Sequence, residues 1–250
     1  MLKTIIVLAA GVLLGLAPGM PKSCVGCSFA GRNLAGADLA GVAYVGTDFG
    51  RADLRNANLQ RASLAGADFA RADLRGADFR GAHLSGVDFR GARVAGARFD
   101  GAEMAGVDLR DTFGGIGDAD IRSMLSNCVG CDLNGATLTN RDVHGIAIVG
   151  SDLRNARAAG ASFNGADLQG VDFAAADLQR ANFRGAKLCT HGGNNGDRIQ
   201  CADFRDANVA GADFRGTLLC TGRSPNTCTP VDATTLRAHA RSSLSGATLP

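Results

Sequence analysis

From Phe29 to Leu109 every fifth residue is apolar, a series that includes Phe49, Leu54, Phe69, Leu74, Phe89, Val94 and Met104. A period of five suits neither a helix, which returns to one face after 3.6 residues, nor a flat strand, which does so after two. A second feature decides between them. Two residues before the large apolar residue the chain usually carries Ala, as at Ala52, Ala57, Ala62, Ala67, Ala72 and Ala77, with Asp, Asn or Ser most often between. Apolar residues two apart share a face only if the backbone between them is extended and the middle residue points out. Beyond the large residue, a position often filled by Gly lets the chain bend. Each pentapeptide is therefore a short side and a corner, and repeated bending in one sense coils the chain into a solenoid.

The phenylalanines set the size of one coil. Phe29, Phe49, Phe69 and Phe89 recur every twenty residues, and Phe79 and Phe99 do so with an offset of ten. Four pentapeptides per coil would stack the two sets on opposite walls, a placement that aromatic stacking favours. The same register stacks Asp48, Asp68, Asp88 and Asp108 on one outer face. With no Trp, one Tyr and 35 Gly, the core must be made of Ala plus Leu and Phe.

The segments "RADLR", "GADFA" and "GADFR" are near-ideal copies of A-(D/N)-L-x-x, and the chain resembles the pentapeptide-repeat family on this basis. The resemblance implies an all-β fold, a right-handed quadrilateral β-helix, over roughly residues 24–110 and 128–221. "CVGCSFAG" at 24–31 returns as "CVGCDLNG" at 128–135, and "GVAYVGTDF" at 41–49 as "GIAIVGSDL" at 145–153, so two tandem copies are expected. Between them, residues 111–127 read as a linker and capping helix. "FGGIG" is a flexible joint, and Asp118 caps a short helix whose Ile121, Met124 and Leu125 plug the open end of the second solenoid. The second copy carries a loop insertion at 190–200. Residues 222–250 form a C-terminal cap, with a short helix near 231–240 and Leu249 in the apolar place of a last repeat.

Eight cysteines invite a chemical reading. Cys24, Cys27, Cys128 and Cys131 make two C-x-x-C motifs, but all four fall on inward positions. They are small buried cap thiols or local disulfides closing a first coil. About five coils separate the motifs, roughly 25 Å at strand spacing, which excludes one shared zinc site unless the solenoids fold back. A thiol-redox role for either pair lacks the surrounding βαβ pattern and a nearby base. Cys189 with Cys201, and Cys220 with Cys228, bracket loops that interrupt the repeat, and are expected to pair as disulfides. "GGNNGD" at 192–197 has a passing likeness to calcium-binding repeats, for which a plain turn is the better explanation.

Nothing points to catalysis. His83, His144, His191 and His239 lie apart, and no nucleophile-elbow, metalloprotease or phosphate-loop motif occurs. The many Asp residues belong to the repeat. No catalytic, cofactor or metal residue is assigned, and no cofactor is expected. Members of the family that modulate DNA gyrase do so by mimicking duplex charge, which needs a dominant negative field. Residues 28–110 hold ten acidic residues against eleven Arg. The whole chain carries a formal +2, which gives no drive towards nucleic acid. Residues 1–19 read as a secretory signal: Met1-Leu2-Lys3, an apolar run from Thr4 to Leu16, then Ala17-Pro18-Gly19 with cleavage after Gly19, an uncleaved anchor being the alternative. A mature chain without a membrane span, periplasmic or secreted, with disulfides intact, follows from that. The sequence thus suggests a non-catalytic structural or binding surface for an unidentified protein or envelope partner. DNA mimicry and C-x-x-C redox chemistry are the alternatives, and oligomeric state is left open.

Overall fold

Backbone pairing in the computed structural model, which describes residues 20–192, 198–220, 228–240 and 244–250, repeats with a step of twenty. Asp48 bridges Asp68, Asp53 bridges Asp73, Asn58 bridges Asp78 and Ser63 bridges His83, all in parallel. Four such ladders run along the stack, one per pentapeptide of the coil. The inward residue donates its N–H to the next coil, as Phe49 does to the Asp68 carbonyl at 2.7 Å, while the Asp48 N–H reaches back to the Cys27 carbonyl at 2.8 Å. Each coil therefore satisfies the backbone of its neighbours, which is what lets five-residue sides exist in water at all. The fold is a β-helix solenoid.

The corner residue, two after the inward one, takes φ near +60°. Glycine fills most of these places, but Arg51, Asn56, Arg61 and Arg71 occupy the same left-handed conformation at 58°, 57°, 56° and 59°. Inside, Leu54, Leu59, Leu64 and the paired Ala52, Ala57 and Ala62 are fully buried. Phe49 stacks on Phe69 at 4.8 Å between ring centroids and Phe69 on Phe89 at 5.3 Å, while Phe79 stacks on Phe99 at 5.0 Å. The two columns meet edge-to-face, with Phe69 and Phe79 at 5.8 Å. Those contacts close the interior across its width.

The residues before and after 111–127 share one ladder. As strand β1 (Ser23–Val25) pairs in parallel with β2 (Ala43–Val45), so β3 (Met104–Ala105) pairs with β4 (Cys128–Val129), Met104 with Cys128 and Ala105 with Val129, and Asp108 bridges Asp132. The step here is 24 instead of twenty, and the four additional residues are absorbed by helix α1, Asp118–Met124. Three expectations are corrected. First, α1 does not plug an end: it lies within the stack. On one side the Gly96 N–H donates to Asp120 and the Phe99 N–H to Ser123; on the other the Arg122 guanidinium donates to the Asp142 carbonyl. Second, Asp118 does not cap the helix, whose N-cap is Gly117 without a side-chain bond. The Asp118 carboxylate instead accepts from the Asp142 N–H and from Arg141, both at 3.0 Å, replacing ladder bonds that a helix cannot offer. Nor is "FGGIG" a loose joint, because Phe113 and Ile116 are buried and fill the interior where two sides of the coil are missing.

Further along, Asp172 bridges Asp203, a step of 31. The eleven extra residues belong to the hairpin of β5 (Lys187–Gly192) and β6 (Arg198–Cys201). A second hairpin, β7 (Leu218–Cys220) with β8 (Cys228–Pro230), joins it in a four-stranded sheet of order β6-β5-β7-β8. Helix α2, Ala233–His239, follows, capped by Asp232 accepting from the Thr235 N–H at 2.7 Å. The last repeat closes the stack, with Thr248 bridging Asp213 and Leu249 packed on the core. The leader 1–19, most of "GGNNGD" and the loop 221–227 lie outside the described residues.

Candidate interaction surfaces

With the interior filled, chemistry is confined to the four outer ladders and the hairpins. The first ladder carries the aspartates, and it is longer than the four residues evident in the sequence. Ser28, Asp48, Asp68, Asp88, Asp108, Asp132, Asp152, Asp172 and Asp203 bridge in series across the junction and the first insertion. Eight stacked carboxylates at about 4.8 Å would repel strongly if bare. Arginines two residues on from Asp88, Asp108, Asp152 and Asp203 offset part of that charge. Arg110 reaches Asp108 at 2.6 Å and Asp132 at 3.2 Å, Arg90 reaches Asp108 at 3.4 Å, and Arg154 lies 3.8 Å from Asp172. On the neighbouring ladders Arg55 pairs with Asp53, Arg75 with Asp73 and Arg80 with Asp78, each at 2.6 Å. The hydrogen bond from the arginine two residues on holds the carboxyls of Asp53, Asp73, Asp78 and Asp213 below the usual carboxylate range. Carboxylates so held are ionised, solvated and paired, which suits surface structure better than proton transfer.

Where the residue after the inward one is small, at Gly50 and Ala70, the aspartate ladder opens into a groove of about 520 Å³ flanked by Arg51, Arg71, Arg90 and Asp68. It is wide open to solvent. His83 and His144 are both exposed, His83 against Glu103 at 2.7 Å and His144 against Asp142 at 2.9 Å, and nothing brings them together. Among the described residues no group of three or more His, Cys, Asp or Glu is placed to hold a metal ion.

Another ladder is the opposite in character. Its inward residues include Cys24, Tyr44, Leu64, Leu84, Met104, Cys128 and Ile148, and the residues after them are small or apolar. Val25, Val45 and Val129 are 82%, 41% and 49% exposed, the most open large hydrophobics among the described residues. Sequence reading missed this stripe, although valines twenty residues apart were there to be found. They stand out only once the coil register is fixed.

Models of pentapeptide repeats match residues 47–86 and 149–188, with eight copies, and 69–112, with nine. The chain is a pentapeptide-repeat protein. Solved pentapeptide-repeat structures align over much of it. QnrB1, a plasmid-mediated fluoroquinolone resistance protein, is 20% identical over 75% of this chain and 93% of its own, with a TM-score of 0.37. HetL, involved in heterocyst differentiation regulation in the cyanobacterium Nostoc, is 25% identical over 79% and 86%, with a TM-score of 0.29. A thylakoid-lumen protein of Arabidopsis thaliana is 27% identical over 42% and 76%, with a TM-score of 0.19. No curated protein matches the sequence.

The cysteines of this pentapeptide-repeat protein form four disulfides, and none is free. Cys24–Cys27 and Cys128–Cys131 close C-x-x-C turns with Cα atoms 6.0 and 5.8 Å apart. Cys189–Cys201 and Cys220–Cys228 sit at directly paired positions of the two hairpins, at 3.8 and 4.0 Å. Cys128 and Cys131 are fully buried and inaccessible to a redox partner, whereas Cys24 and Cys27 are half-buried. No helix among the described residues is long and apolar enough to cross a membrane.

Proposed function

We propose that this is an exported, non-catalytic pentapeptide-repeat solenoid that works as a structural or protein-binding surface in the periplasm or outside the cell. One observation carries the reading: edge-to-face phenylalanine columns leave the interior no room for a substrate, so binding falls to the outer ladders. Four ladders per coil support a right-handed quadrilateral helix. The recurrence of "CVGC" supports tandem copies over 24–110 and 128–221, joined through 111–127 and finished by a cap over 222–250. Four disulfides suit an oxidising compartment and a cleaved leader over residues 1–19. In this reading Cys24, Cys27, Cys128, Cys131, Cys189, Cys201, Cys220 and Cys228 are structural ties, no cofactor is used, and the partner is a protein or envelope component, not nucleic acid. The arginine partners along the aspartate ladder weigh against duplex mimicry.

Fractionation of the native host, with mass spectrometry of the recovered chain, tests this. The expected result is a chain beginning after Gly19 outside the cytoplasm that gains eight hydrogens on reduction. Cytoplasmic recovery with free thiols would overturn it, and inhibition of gyrase supercoiling by the purified chain would favour mimicry.

A further inference from the structure

The apolar ladder is self-complementary. Along it, the Gly26, Gly46, Gly66, Gly86, Gly106 and Gly130 amides donate in turn to the carbonyls of Val45, Ala65, Ser85, Ala105, Val129 and Val149, which fixes the column. Beginning with Val25, the side chains read Val, Val, Ala, Ser, Ala, Val, Val. The order is the same in both directions about Ser85. None of these residues is charged, whereas the equivalent columns of the other ladders hold Arg55, Arg80, Arg90 and Arg110. The corner residues beside the column are all glycine, so no corner side chain stands above it, and a methyl group at Gly26, Gly46, Gly86, Gly106 or Gly130 would meet only open space.

We propose that this face pairs with the same face of a second copy of the chain, antiparallel, about a two-fold axis that lies across the rod at the level of Ser85. A closed pair of identical subunits needs one patch that matches itself, and the axis supplies that match residue for residue. Val25 meets the partner's Val149, Val45 meets the partner's Val129, and Ala65 meets the partner's Ala105. The alternative two-fold, along the rod, exchanges the two edges of the face. It would set valines against the flanking column of Ser23, Ala43, Ser63, His83 and Glu103, and put Ala105 opposite Glu103. In the antiparallel pairing the partner's Ser63 faces Glu103, so no carboxylate is set on an apolar residue. Beyond Val149 the stripe ends at Gln169 and the Asp167–Lys187 ion pair.

Size fixes the strength. Six coil steps of about 4.8 Å and a width of three residues give roughly 300 Å² per subunit, well short of the ~800 Å² per partner of a standard stable interface. The dimer is therefore weak and forms only at high protein concentration.

Sedimentation of the full disulfide-bonded chain from about 1 µM to about 1 mM reads this directly, since a tenfold change in affinity is about 1.4 kcal/mol and well resolved. The expected result is a monomer at the low end and a dimer at the high end. Val45→Lys or Val129→Glu alone weakens the dimer by about tenfold or more. The double variant V45K/V129E restores it, because each Lys then faces the partner's Glu. Within one chain the two positions are four coils apart, about 19 Å, and cannot pair. Ala70→Lys on the aspartate ladder leaves dimerisation unchanged, and unchanged melting temperatures show that the variants fold. A monomer at every concentration overturns the proposal, as does a double variant no better than the singles or an equal loss from Ala70→Lys.

Discussion

"CVGC" occurs twice, and its two settings differ. At residues 24–27 it opens the stack: Val25 is 82% exposed, Cys24 and Cys27 are half-buried, and one side of the coil faces water. At residues 128–131 the same letters lie between two coils, with both cysteines at 0% exposure. The equivalent polar residues diverge too. Ser151 donates to the Cys128 carbonyl at 3.1 Å and accepts from the Cys131 N–H at 3.0 Å. Thr47, at the equivalent place after the first "CVGC", is buried with a hydroxyl that has no partner among the described residues. At the terminal coil the end is closed by other means, with the Tyr44 hydroxyl donating to the Pro21 carbonyl at 2.6 Å. In a solenoid the energetic meaning of a motif is set by the coils above and below it, because each repeat contacts only its neighbours.

Substitutions that separate middle from end test this, and the largest effect is in the phenylalanine column. Phe69→Ala removes a ring stacked on both sides and should cost about 3–5 kcal/mol, whereas Phe29→Ala, with one stacked neighbour and partial exposure, should cost less than half of that. Denaturant unfolding of both variants checks the ratio, and equal losses would erase the distinction. Next come the paired disulfides. Replacing Cys128 and Cys131 by Ala should lower stability by about 2–3 kcal/mol, roughly 2 of it from the lost cross-link and the rest from the cavity left between coils. The same change at Cys24 and Cys27 removes an equal cross-link but leaves a smaller cavity at the half-buried end, and should show a smaller loss.

A smaller contrast lies at the two hydroxyls. Ser151→Ala strands a buried amide and carbonyl and should cost about 1–2 kcal/mol, while Thr47→Ala should be nearly neutral. Thermal melts of the two variants side by side would show it. The smallest effect is electrostatic. Asp118 lies below the ordinary carboxylate range because the Asp142 N–H, and then Arg141, favour its charged form. A group with a lowered folded pKa contributes stability that is whole above its unfolded value, about 3.9, and is lost as pH falls through the folded one. The melting temperature should therefore drop between pH 5 and pH 2, and D118N should lower it at pH 7 while flattening the acid slope. An unaltered slope would remove Asp118 from the junction's support.

The coil itself was legible in the sequence because its cause is local and repeated: Phe49, Phe69 and Phe89 state the twenty-residue register three times over. The junction was not. From Leu109 to Leu133 is 24 residues, which reads as a broken register until a helix is allowed to stand in for two sides of one coil. Asp118 looked like a cap because its partners, Asp142 and Arg141, are more than twenty residues away and are brought near only by stacking. The valine column has the same origin. Val25, Val45, Val129 and Val149 carry no local signal, and only the ladder makes them neighbours.

Amide hydrogen exchange across residues 111–127 decides most directly whether one continuous solenoid runs through the chain. Gly106 donates to Val129, Leu109 to Asp132 and Asp132 to Val107, each at 2.8–2.9 Å. In a continuous stack these amides exchange as slowly as those of Phe69 and Phe89. Fast exchange at Gly106, Leu109 and Asp132 beside slow exchange at Phe69 would mean two solenoids hinged at 111–117.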